Sequence, residues 1–109
     1  MTVTGHEDEF RLMFQEEATA RLSDLVKLTH TLRAGPPPDA ELLDTMHRQA
    51  HTLHGGAGVV GFYAIADEAE RLARLIDEVR TRRRAADPAF ADAVLAAVKD
   101  IRSRLASER

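Results

Sequence analysis

The 109-residue sequence predicts an all-α fold, an antiparallel up-down-up-down four-helix bundle, on three observations. It is rich in alanine, leucine, arginine and glutamate with only 5 % aromatic residues, a composition that suits packed helices rather than a β-sandwich. Apolar residues recur at three- and four-residue steps in four separate stretches. Short breaks carrying glycine, proline or aspartate divide those stretches, and short connections make consecutive helices antiparallel neighbours. The length allows one domain with its own core.

The first helix is expected over residues 6–33. Thr4 and Glu7 have capping-box spacing, and Phe10, Phe14, Ala18, Leu22, Leu25 and Leu32 fall close to one face. Ala34-Gly35 followed by Pro36, Pro37 and Pro38 stops it, because proline lacks the amide proton that a helix interior needs. Asp39 is the expected N-cap of a second helix over 39–60, with the stripe Leu42, Met46, Ala50, Leu53, Ala57 and Val60. Gly61 marks a break. Phe62, Ile65, Ala69, Leu72, Ile76 and Val79 then form the stripe of a third helix, expected over 62–84 and ending in a run of arginines that the helix macrodipole favours. Asp87-Pro88, an N-cap followed by proline at the first helical position, opens a fourth over 88–106 with Phe90, Val94, Ala97, Ile101 and Leu105 inward. The first six residues and the last few are expected to fray.

Several function classes are excluded or disfavoured. With no cysteine there is neither a disulfide framework nor a thiolate zinc site. A net charge of −3 argues against a dedicated nucleic-acid binder. No apolar run is long enough to span a bilayer, and the acidic N-terminus lacks the order of a signal peptide, so a cytoplasmic protein is expected.

Chemistry concentrates in His51-Thr52-Leu53-His54-Gly55-Gly56-Ala57-Gly58. At about 100° per residue, His51 projects roughly 120° from the centre of its helix's apolar stripe. Gly55 and Gly58 fall beside it, His47 lies one turn before, and His54 sits at the boundary with the core. Each glycine inside a helix costs about 1 kcal/mol relative to alanine, so several together suggest that something must approach the backbone. A neutral imidazole presents a lone pair and is a competent nucleophile toward an activated phosphoryl group. Phosphoryl transfer asks for in-line approach and charge stabilisation, hence for a protruding histidine with small neighbours on a rigid support.

These residues, with Gly61-Phe62 behind them, resemble the signature of histidine-containing phosphotransfer (HPt) domains, and most of all the phosphoacceptor domain of bacterial chemotaxis-type histidine kinases. Phe14-Gln15-Glu16-Glu17-Ala18 and Leu75-Ile76-Asp77-Glu78 are similar to that family too, so the likeness covers nearly the whole chain. The resemblance implies a phosphorelay carrier in which His51 accepts phosphoryl from a histidine kinase or receiver and passes it to an aspartate of a response-regulator receiver domain. It implies no ATP site and no cofactor of its own; Mg²⁺ and the acceptor aspartate would belong to the partner. A monomer is expected, acting in trans unless the chain is an excised domain, without nucleic acid or membrane as partner, and as a carrier rather than an enzyme.

Two departures stand out. Where the family usually has lysine, three residues after the phosphorylated histidine, this chain has His54, a candidate phosphate ligand that carries full charge only when protonated. Where chemotaxis-type domains place a histidine and a carboxylate on the third helix, it has Glu70 and Ala73, leaving Glu70 as the candidate orienter of the His51 ring. Val59 and Tyr63 are off-stripe apolar residues near His51 and are candidates for partner docking, together with Gly55, Gly58, His47 and Arg48. Two rival readings remain open. His47 and His51 have the i, i+4 spacing of helical zinc sites, with Arg48 adding unfavourable charge between them. The missing lysine also fits a helical interaction scaffold that accepts no phosphate. The Arg82-Arg83-Arg84 run reads as a solvated helix end.

Overall fold

The computed structural model describes residues 4–35 and 38–108. Four helices occupy them: α1 (Thr4–Ala34), α2 (Ala40–Val59), α3 (Tyr63–Arg80) and α4 (Pro88–Ser107), with no strand among the described residues. Each helix packs on its neighbours in sequence and α4 closes on α1, giving an antiparallel bundle of 56 × 21 × 19 Å. Helix is already present at Thr4 and continues to Ser107; the fraying expected at residues 1–3 and 109, and the stop expected at Pro36 and Pro37, lie outside the described residues. So does the Thr4 side chain on which the capping box depends.

Local chemistry sets most helix ends. The Asp39 carboxylate accepts from the Leu42 amide at 2.8 Å and Asp87 from the Phe90 amide at 2.9 Å, each satisfying an otherwise orphaned donor of a first turn. At the end of α2, the Phe62 amide donates to Ala57 O at 2.9 Å and the Gly61 amide to Gly58 O at 3.3 Å. Gly61 has φ +85°, so this is a Schellman ending in which glycine takes the left-handed position. Phe62, the next residue, turns back into the core.

The third helix is shorter than expected. It ends at Arg80, not near residue 84, because the chain closes a second Schellman ending: the Arg82 amide reaches Val79 O at 3.1 Å and the Arg83 amide reaches Glu78 O at 2.8 Å. Arg82 occupies the left-handed position at φ 61°. The arginine run therefore lies in the α3–α4 loop, with Arg80 alone in the last turn.

The core follows the expected stripes of α3 in full and of α2 and α4 with local changes. Leu43 and Val98 are buried; Leu42, Val60 and Ala97 pack half-buried at its margin. Thr29, an unexpected member, is fully buried because its hydroxyl donates to Leu25 O at 2.7 Å and so carries no unpaired polar atom inward. Phe10 corrects the expected α1 stripe, being 58 % exposed. The side chain of Arg11 reaches Val60 O, at the end of α2, and Gln15 reaches Leu105 O, near the end of α4. Residues before these overhang the core, and Phe10 lines a surface cavity with Val59 and Tyr63 instead.

Candidate functional site

The C-terminal half of α2 and the outer face of α3 carry the site. His51 is exposed in mid-helix, on a segment held by the buried Met46, Ala50, Leu53 and Ala57 on its other side. The glycines around it have different roles. A Cβ at Gly55 or Gly58 would meet no atom within 4 Å, so both leave open space beside His51. A Cβ at Gly56 would stand 2.9 Å from Cε1 of Phe14, so that glycine serves helix packing.

Three imidazoles run along this face. The His47 and His51 ring centroids are 6.3 Å apart with planes 9° from parallel, and those of His51 and His54 are 6.4 Å apart and tilted by 45°. They are strung along one helix rather than gathered about a point, and among the described residues no three His, Asp or Glu side chains come together as a metal-binding group.

His54 is half-buried against α3, with Nδ1 3.0 Å from Ala66 O. A carbonyl oxygen only accepts, so Nδ1 carries the proton and donates. The neutral ring then offers a lone pair at Nε2, and it can donate from that nitrogen only as the cation. Glu70 is paired within its own helix: its Oε1 accepts from Arg74 at 2.8 Å, the i, i+4 partner, and no hydrogen bond joins it to His51 among the described residues. The expected orienting contact is thus absent, and Ala73 is buried in the core.

His47 lies half-buried at the α2–α3 seam, a setting not evident from the sequence. Arg80 crosses from α3 to donate to Asp44 Oδ1 at 2.9 Å and also to Asp77 Oδ1 at 3.1 Å. Burial, the Arg80 charge and His51 hold the His47 pKa below its ordinary value, against the opposing pull of Asp77 and Asp44. Asp77 and Arg80 have the spacing of a helix pair, but Asp44 joins them only through the α2–α3 register. Arg48 is exposed on the outer face.

Beyond His51, toward the end of the bundle, Val59 and Tyr63 are 86 % and 70 % exposed. They share a cavity of about 230 Å³ with Glu7, Phe10, Arg11, Val60 and Gly61. Phe10 thus joins the two apolar residues singled out for docking, having left the core for this surface.

Comparison with known proteins agrees with this architecture. The model of the Hpt domain family matches residues 9–104. The chemotaxis protein CheA of Salmonella typhimurium (strain LT2) is 37 % identical over 73 residues, which make up 66 % of this chain and 11 % of that protein, so the chain spans about a tenth of the length of this curated relative. No solved structure matches at a significant level. Since the family model takes in all but the ends of the chain and the four-helix architecture agrees with it, this protein belongs to the Hpt domain family, the histidine phosphotransfer modules of two-component signalling.

Proposed function

We propose that this chain carries a phosphoryl group on His51 between a histidine kinase or receiver and the aspartate of a response-regulator receiver domain. The observation that carries the reading is an exposed imidazole on a packed helix with open space at Gly55 and Gly58 beside it. A ring nitrogen lone pair forms the N–P bond in line as the donor's bond to phosphorus breaks, and the reverse step delivers phosphoryl to the receiver. Mg²⁺ and the acceptor carboxylate belong to the receiver, and ATP to the kinase, so the chain is a carrier acted upon rather than an enzyme with turnover. It works as a monomer in the cytoplasm, and the Val59–Tyr63–Phe10 surface, about two turns beyond the carrier histidine, receives the partner. No described helix is long and apolar enough to cross a membrane.

Intact-mass analysis tests the reading: incubation with a chemotaxis-type histidine kinase, ATP and Mg²⁺, beside His51→Ala. A single acid-labile phosphoryl adduct on the native chain, absent from the variant, is expected. An adduct that persists in His51→Ala, or none with the fold intact, overturns it, and the second result favours an interaction scaffold.

A further inference from the structure

The two side chains expected to serve His51 are engaged elsewhere. The side chain three residues after His51 is an imidazole already donating to Ala66 O, and Glu70 is taken up by Arg74. On the turn before His51 stand the exposed Arg48 and the half-buried His47, whose ring is nearly parallel to that of His51 at 6.3 Å. The charged and titratable groups that face His47 are Asp44 and His51 from α2 and Asp77 and Arg80 from α3. Both carboxylates are bonded to Arg80, which leaves neither committed to an imidazolium at position 47. Burial and the Arg80 charge hold this ring toward its neutral form as long as His51 is unmodified.

A phosphoryl group on His51 changes that balance. It brings about −1.5 to −2 charge and three strong acceptor oxygens within reach of a half-buried ring. We propose that His47 takes up a proton from solvent when His51 is phosphorylated, and that its imidazolium then supplies the positive charge facing the phosphoryl oxygens. The proposal rests on the reading of His51 as phosphoacceptor. In the forward step the N–P bond forms at His51, the donor leaves with the electron pair of its broken bond, and one proton passes from solvent to His47. When phosphoryl departs to the receiver, that proton returns to solvent. Phosphoryl carriage on this chain is thereby linked to proton uptake by a residue on the helix turn before the acceptor.

The experiment is an NMR titration of the imidazole resonances before and after phosphorylation with phosphoramidate, with the adduct located by mass against His51→Ala. The proton affinity of His47 is expected to rise about tenfold or more in the phosphorylated protein. His47→Gln is expected to shorten the phosphoryl half-life near neutral pH and to flatten its pH profile. His47→Lys is expected to restore the half-life with the profile still flat, a rescue that a merely structural role would not give. An adduct at His51 with a His47 titration unchanged from the unmodified protein overturns this proposal and leaves the carrier reading standing. No adduct at His51 overturns both.

Discussion

The ring edge of Phe14 occupies the place where residue 56 would carry a side chain: a Cβ there would lie 2.9 Å from Cε1 and 3.0 Å from Cδ1. Phe14 cannot readily yield, since it is buried and meets Phe62 edge-on with centroids 5.9 Å apart. Gly56→Ala is therefore expected to destabilise the bundle by about 1–2 kcal/mol, overpacking outweighing the gain in helix propensity. Gly55→Ala and Gly58→Ala meet open space and should each stabilise by up to about 1 kcal/mol. Urea denaturation separates the three. Phosphoryl transfer should move oppositely at 55 and 58, slowing by on the order of tenfold as bulk enters the approach to His51.

His54 gives a second prediction. Its Nδ1 proton is used on Ala66 O, so the ring can donate to a phosphoryl oxygen only when protonated. Compared over a range of pH, His54→Lys is expected to transfer phosphoryl to a receiver faster than the native chain at the alkaline end, because lysine stays charged there. Transfer rates across the range decide it, and an unchanged profile in His54→Lys would sink the idea.

Which of these features the sequence reveals depends on whether one helix or two must be known. The α3 stripe from Phe62 to Val79 is legible because a helix buries its own periodic apolar face, and all six residues are buried. The outward position of His51 follows from the same periodicity read on α2. Phe10 continues the α1 stripe equally well, yet it is exposed, because where α2 and α4 stop is written in other parts of the chain. The Arg80–Asp44 bridge, and with it the setting of His47, likewise needs the α2–α3 register. The diversion of Glu70 to Arg74 was accessible from i, i+4 spacing alone and is a local signal that outweighed the family pattern.

The pH dependence of stability supplies a third test. The folded-state pKa of His47 lies below its ordinary value of 6.5, so the unfolded chain binds the proton more readily. No penalty exists above 6.5; stability declines as pH falls below it, until the folded pKa is passed. His47→Gln removes this contribution, and its stability relative to the native chain is expected to improve as pH is lowered through that window. Thermal melts at a series of pH values measure the difference.

The apolar surface of Phe10, Val59 and Tyr63 yields a fourth. Single exposed apolar residues are ordinary, but these three line one cavity. Val59→Glu and Tyr63→Ala are expected to weaken receiver binding about tenfold with little effect on melting, since neither side chain is buried. Phe10→Ala should act in the same direction if the partner reaches the α1 overhang. Calorimetric titration with a receiver domain checks all three, and unaltered affinity removes them from the interface.

Arg82 provides the last prediction, because it occupies a position that glycine fills at the corresponding end of α2. Both helices finish in Schellman geometry, with Gly61 at φ +85° and Arg82 at φ 61°. A residue with a Cβ pays about 1–2 kcal/mol for the left-handed conformation, whereas glycine reaches it freely but loses more entropy on folding. Arg82→Gly is therefore expected to gain about 0.5–1 kcal/mol, and Gly61→Ala to lose about 1 kcal/mol, both read from urea midpoints. Arg82 is exposed, so little packing is lost with its side chain. A loss of stability in Arg82→Gly would mean that the arginine side chain itself holds the α3–α4 loop.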